Sequence, residues 1–396
     1  MAVIDQTDQA DQTDTAVKPG ASDLSARAIE WAATMAGHGE PGSGVRTAHE
    51  RAVAAGSFEI LGREAREASE AEALAPFATR AAGAGKRASD EAPDDWRTCF
   101  ERDRDRILHS SAFRRLAGKT QVFVFPADHQ RTRLTHALEV AQVATAIARA
   151  CRLNVALAEA IALGHDCGHG PGGHASEDAL SPFLSAGFDH AEWGADMTAA
   201  PLNLCFETLD GIRNHSWSRP APATPEGEVV ALADRIAYTA HDLEDAAHAG
   251  IVDPADLPSS VVDLCGRTRG QQLRAFVHDV VVTTAMSGTV ALSGPMGEAL
   301  ADLRRFDYER VYLRPVSLEQ SRRVIDMLRA LVEYYISRPG EMPSDYQSGG
   351  PVTFGDDHVH RAVGYVAGMT DRFACAQAVA RLGWPADRLP RGFDAG

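Results

Sequence analysis

The sequence predicts an all-α fold, a helical bundle preceded by a disordered N-terminal segment. Three observations predict it. No Val/Ile/Thr alternation is sustained enough for a sheet, and the best strand candidate, V-F-V-F at 122–125, is short. Apolar, helix-forming stretches begin at good cap residues, Asn154 and the Thr224-Pro225 pair. Glycine- and proline-rich words (37–44, 81–85 and 218–225) break the chain between them.

Residues 1 to about 22 are Gln/Asp/Thr-rich and without periodicity, so disorder is expected there. A short helix is expected around Leu24–Met35, and helical character resumes from about residue 63. This divides the chain into a variable region, 1–62, and a single helical domain, 63–396, whose core spans about 130–250. Three helices carry that core. The first runs from about Leu134 to Cys151 and is apolar on nearly all sides, so it belongs at the centre. The second follows Asn154 through Leu157, Ala158 and Ile161 to Gly164, delivering His165 and Asp166 at its end. The third starts at Thr224-Pro225, with Glu226 and Glu228 complementing the helix dipole, and Gly250 stops it. Its stripe Val229, Ala233, Ile236, Ala240 and Leu243 should pack, while Asp234, Tyr238, His241 and Asp245 share another face.

At 396 residues and 44% hydrophobic, the chain can bury a large core. Its net charge of −16 leaves no global basic footprint for nucleic acid or an anionic membrane surface. An acidic protein that handles an anion must concentrate its cations locally. The six cysteines are scattered, which fits a reduced, cytoplasmic setting, and Cys167 is expected to be a small buried hydrophobe. No stretch approaches the length of a membrane span, and the N-terminus does not read as a signal peptide.

His136, His165, Asp166 and Asp234 lie in or beside the three apolar helices, within R-T-R-L-T-H, G-H-D-C-G-H and A-L-A-D-R-I-A-Y. Two imidazoles and two carboxylates suit a divalent cation (Mn, Mg, Fe and Co are all compatible) and leave positions open for water and phosphate. Any one of them alone reads equally as a satisfied core or surface residue; the joint pattern reads as a metal site. His174 and Glu177 follow at i, i+3, a spacing for an imidazole supported by a carboxylate and suited to proton transfer. His169 either supports the metal ligands or touches phosphate. Arg114, Arg115 and Lys119 crowd beside Gln121, and Arg131 and Arg133 precede the first ligand. Such a run of cations suggests a polyphosphate cradle, against the blander reading of a solvated helix face. No Walker A or G-x-G-x-x-G word occurs.

Taken together, R-T-R-L-T-H, H-D-C-G-H-G-P-G-G-H-A-S-E and A-L-A-D-R-I-A-Y-x-x-x-D resemble the HD-superfamily deoxynucleoside triphosphate triphosphohydrolases, the dGTPase-like family. F-R-R-L-A-G-K-T-Q-V-F, L-N-L-C-F-E-T-L-D-G-I and V-A-G-M-T-D-R extend the resemblance over roughly residues 74–385. It implies an HD-domain helical bundle, often a homo-oligomer, that splits a dNTP at the α-phosphorus into deoxynucleoside and triphosphate. It implies His136, His165, Asp166 and Asp234 as metal ligands, and His174 with Glu177 as the catalytic pair. Gln121 then stands at the sugar edge, with Tyr238 and Asp242 on the deoxyribose. The chain departs from the family pattern at Gly172, where an aromatic is common, and at Gly364, where an acidic residue is usual. It departs again at 213–215, where Arg213, Asn214 or His215 stands in the region of a common Lys. Two other readings share the same ligands: an HD phosphohydrolase acting on monophosphates, cyclic dinucleotides or alarmones, and a regulator that binds nucleotide or single-stranded nucleic acid. A regulatory nucleotide is a further candidate partner.

Overall fold

The structure, a computed structural model, describes residues 25–39, 42, 44–125, 130–347 and 357–391. The chain divides into two compact units, Met1–Ile60 and Leu61–Gly396. In the first, helix α1 (Ala26–Ala33) is capped by the Ser25 hydroxyl, and His38 and Thr47 form an isolated bridge. The expectation of disorder over residues 1–22 lies outside the described residues.

Among its described residues the second unit is built of helices joined by loops. It opens with α2 (Arg63–Ala73), α3 (Cys99–His109) and α4 (Ser111–Arg115). A reciprocal capping box between Thr98 and Glu101 starts α3. Next come α5 (Arg133–Ala150) and α6 (Val155–Gly164), the latter begun by the Asn154 side chain accepting from Leu157 N at 3.2 Å. Short helices α7 (Ala175–Leu180) and α8 (His190–Trp193) lead to α9 (Phe206–Asn214). Thr224 caps α10 (Pro225–His248), taking Gly227 N at 3.2 Å, with Pro225 in the first turn where its missing N–H costs nothing. Gly250, at φ +67°, follows its end. The remaining helices are α11 (Ser259–Cys265), α12 (Arg269–Ser287), α13 (Gly294–Asp307), α14 (Pro315–Ser337), α15 (His358–Ala367) and α16 (Asp371–Leu382).

Among the described residues the only β-type pairings are isolated bridges, one of them Thr120 with Thr132. V-F-V-F is therefore not a strand. Residues 121–125 run as bends, and Phe125 sits at φ +53°, outside the β region.

Two hydrophobic clusters form the interior. In the larger, Val140 and Ile147 of α5, Leu157 and Ile161 of α6 and Val229 and Ile236 of α10 meet Phe276 of α12 and Leu300 of α13. The smaller joins Leu180 of α7 to Val324, Leu328 and Tyr335 of α14, Val363 of α15 and Ala374 of α16. The α10 stripe packs as its periodicity predicts, all five members being buried. Asp371 ties the region between the clusters together: it accepts from Thr120 N (2.9 Å), Thr120 Oγ1 (2.5 Å) and Gly172 N (2.8 Å). Gly172 (φ +74°) and Gly173 (φ +63°) carry the chain into α7 through backbone conformations that glycine adopts freely. A Cβ at 172 would lie 2.4 Å from Val324 Cγ1, so Val324 fills the space that an aromatic would need.

Asp307, at the end of α13, violates the rule that buried polar groups are bonded. It is fully buried and neither carboxyl oxygen has a partner. Burial, with the nearby Asp242 charge, pushes its pKa up to about 9. The folded state therefore holds a proton that the unfolded chain releases above the ordinary Asp range, so this group costs stability as pH rises from about 4 towards 9. Asp307→Asn removes that titration. The expected result is a variant that gains on the wild type with rising pH by up to about 1.4 kcal/mol per unit in this window. Guanidinium unfolding midpoints at pH 5 and pH 8 check it; a gap that does not widen contradicts the assignment.

Candidate active site

The ends and faces of α5, α6 and α10 bring His136, His165, Asp166 and Asp234 together. His136 Nε2 lies 3.1 Å from Asp234 Oδ1 and 3.8 Å from Asp166 Oδ2. His165 Nε2 lies 3.5 Å from Asp166 Oδ1 and 3.6 Å from Asp234 Oδ1. The His165 ring is oriented by its own helix, Nδ1 donating to Ala162 O at 2.6 Å. That leaves Nε2 fully buried, without a hydrogen-bond partner and facing two carboxylates. This buried set of two imidazoles and two carboxylates fits a divalent metal. Burial alone would push His165 down, but Asp166 and Asp234 raise it to about 9. Asp166, despite burial, is held well below the usual carboxylate range by Arg133 and His165.

A chain of imidazoles continues from the cluster. Glu177 accepts from His190 N at 3.1 Å and takes a short hydrogen bond from His190 Nδ1. His190 Nε2 lies 3.2 Å from His215 Nε2, and His215 Nδ1 donates to Ile212 O at 2.8 Å. The His215 proton being committed to that carbonyl, its Nε2 can only accept. His190 Nδ1 donates to Glu177, and its Nε2 faces the His215 Nε2. It also stacks on His169 at 3.7 Å between centroids. His174, three-quarters exposed, has its Nδ1 3.7 Å from Glu177 Oε2, longer than a hydrogen bond. Burial works against the Glu177 charge, yet His174 and His190 hold its carboxyl far below the usual range. Burial and the neighbouring His165 and His190 lower His215 to about 4.

These groups border a cavity of about 520 Å³, within the range of sites for small-molecule ligands. His136, Asp166, His174 and Asp234 lie at one part of its wall; Gln121, Trp217, Tyr238, Asp242 and Tyr312 line others. Three guanidinium groups, Arg235, Arg304 and Arg314, join the lining with no acidic partner among the described residues. Arg304 Nε donates to Tyr238 OH at 2.7 Å.

Comparison with known proteins places this geometry. Residues 133–239 match the HD domain, and residues 290–379 match the phosphohydrolase-associated domain. A deoxyguanosinetriphosphate triphosphohydrolase-like protein of Caldanaerobacter subterraneus subsp. tengcongensis is 42% identical over 320 residues, covering 79% of this chain and 93% of that one. The chain belongs to the dGTPase-like family of HD-domain proteins. A relative of the same name from Clostridium perfringens is 42% identical over 300 residues, 72% of this chain and 86% of its own. Another, from Ruegeria sp., is 37% identical over 369 residues, 76% of this chain and 97% of its own. This is a phosphohydrolase family of the HD type, whose domains bind divalent metals. Among the described residues no helix is long and apolar enough to cross a membrane.

Within this dGTPase-like framework, the cations expected to form a polyphosphate cradle do not gather at the cavity. Arg114, Arg115 and Lys119 do not line the cavity. The word F-R-R-L-A-G-K buries Phe113 and Leu116, which turns Arg114 to solvent and leaves Arg115 bonded to Ser111 Oγ at 3.1 Å. Lys119 is buried, its ammonium donating to Ala367 O at 3.0 Å and to His169 O, and burial with the Arg115 charge lowers it to about 7. It fastens its own loop and the turn at His169 to the end of α15. Arg133 does reach the cavity, but its Nη1 is 2.6 Å from Asp166 Oδ2 and it is committed to holding that carboxylate. Arg131 is likewise taken, by Asp242 and Asp245 at 3.0 Å each. His169 Nε2 lies 3.2 Å from Asp166 Oδ1, supporting the ligand cluster. Burial and Arg133 hold that ring well below the usual histidine range. Gln121 borders the cavity with its Oε1 buried and unbonded. Asp242 does so with one oxygen on Arg131 and the other on Tyr312 OH. Of the polar face expected on α10, Asp234 and Tyr238 reach the cavity, whereas His241 turns to Glu139 and Asp245 to Arg131. Cys167 is the buried hydrophobe expected, its thiol pushed up to about 12 by burial.

The sequence reading missed His190, Arg235, Arg304, Tyr312 and Arg314. His190 follows an Asp that caps α8, and Arg235 follows a ligand directly, so each had a local signal. Arg304, Tyr312 and Arg314 come from a distant part of the chain and had none.

Proposed function

We propose that this chain hydrolyses deoxynucleoside triphosphates at the α-phosphorus, releasing deoxynucleoside and inorganic triphosphate. The observation that carries the reading is one cavity that joins the His/Asp cluster to three guanidinium groups without acidic partners. A substrate with a reactive phosphorus and a long anionic tail uses both. The relatives' printed name, deoxyguanosinetriphosphate triphosphohydrolase-like protein, supports the same substrate class.

In this reading His136, His165, Asp166 and Asp234 hold the divalent metal, which supplies electrophilic stabilisation of the phosphoryl oxygens when bound. Arg235, Arg304 and Arg314 neutralise the tail, whose charge otherwise repels a nucleophile. His174, at the cavity wall beside Glu177, moves the proton for the departing 5′-oxygen. His190, fixed between Glu177 and His215, keeps Glu177 aimed. Tyr238 and Asp242, with Tyr312, form the sugar wall, where the Tyr238 ring leaves little room for a 2′-hydroxyl.

Product identification tests this directly. With Mn²⁺ and each dNTP in turn, ³¹P NMR should show inorganic triphosphate, and ribonucleotides should react far more slowly. Orthophosphate or pyrophosphate as the first product would overturn the α-phosphorus assignment.

A further inference from the structure

Trp217 lies in the turn after α9 and Arg235 on α10, and two contacts join them. The indole Nε1 donates to Ala231 O at 2.9 Å, which fixes the ring over the helical turn that ends at Arg235. The Arg235 guanidinium carbon then lies 3.6 Å from the ring centroid, a stacked cation–π arrangement. Arg235 has no acidic partner among the described residues, and its Nε is buried without a hydrogen bond. Both side chains line the cavity, next to the likewise unpaired Arg304.

A long cationic side chain with no carboxylate to hold it normally samples many rotamers, and an anion that binds it must freeze them. An aromatic face removes that cost beforehand without cancelling the charge, which a carboxylate would do. We infer that Trp217 is a positioning residue: it pre-orders the Arg235 guanidinium as a receptor for the anionic phosphate tail of the substrate. The inference deepens the proposed function and rests on its choice of a polyphosphate ligand. Its distinguishing property is that Trp217 acts only through Arg235.

The test is a double-mutant cycle read on binding of inorganic triphosphate to the full chain in Mn²⁺ buffer by calorimetry, alongside dNTP kinetics. Trp217→Leu keeps bulk without a π face, and Trp217→Phe keeps a π face without the indole N–H. Trp217→Leu should weaken triphosphate binding about tenfold, about 1.4 kcal/mol, with KM affected more than kcat. Trp217→Phe should lose less. In an Arg235→Ala background, Trp217→Leu should cost under about twofold, because nothing is left to position. Equal loss in both backgrounds, no loss in either, or no measurable triphosphate binding by the wild type would overturn the inference. Because binding is read without turnover, the two readings fail separately. A chain that binds triphosphate in a Trp217-dependent way yet yields other products refutes the proposed reaction alone.

Discussion

Replacing His165 by Ala should leave a folded protein that retains almost no metal and turns over dNTPs more slowly by at least about a thousandfold, the several kcal/mol that a Lewis acid contributes. The size of the expected effect follows from how the ring is built in. It is fully buried, its Nδ1 is spent on Ala162 O, and its Nε2 faces Asp166 and Asp234 with nothing else to bond. Alanine removes the lone pair and leaves two carboxylates facing a void. Asp234→Asn should act the same way through the opposite wall, since Asp234 Oδ1 approaches both His136 and His165. Elemental analysis of metal-reconstituted protein, run beside turnover, checks both variants. A His165→Ala protein that keeps its metal and its rate would remove these four residues from the metal site.

What could be read in advance divides along a physical line. Helix starts were legible because they are set by local chemistry: Asn154 and Thr224-Pro225 announce α6 and α10, and both begin where those residues put them. The clustering of the four expected metal ligands was legible for the same reason, His136 and Asp234 lying on helices and His165 and Asp166 directly following α6. The direction of the upstream cations was not. Arg114, Arg115 and Lys119 are dense in sequence, but density says nothing about direction, and burying Phe113 and Leu116 aims them elsewhere. The guanidinium groups that line the cavity without an acidic partner among the described residues come from α10, α13 and the residue before α14, and only tertiary packing brings Arg304 and Arg314 to the same cavity as Asp234. Lys119 shows the converse. A lysine among arginines reads as a phosphate contact, yet its three donors suit a buried joint between carbonyls, and Ala367 supplies one of those from 248 residues away.

His190 extends the point to chemistry, because its role depends on partners fixed by three separate elements. The sharpest consequence is for Glu177→Gln. Glutamine keeps the size of the side chain but offers one acceptor where the carboxylate offers two. Glu177 serves the His190 ring and backbone through Oε1 and lies 3.7 Å from His174 through Oε2. An amide NH₂ turned towards the His190 Nδ1–H sets donor against donor, and the negative charge beside the two imidazoles is lost. We therefore expect kcat to fall by about 10²–10⁴-fold, the range for removing a positioned proton carrier. Metal content should stay at the wild-type level, which separates this variant from His165→Ala. His174→Ala should lose a comparable factor, and the double variant little more than either single one, because the two groups act as a unit. If the losses multiplied, Glu177 and His174 would be serving different steps. If metal were lost along with activity, the Glu177–His190 pair would belong to the architecture of the ligand cluster and not to proton movement.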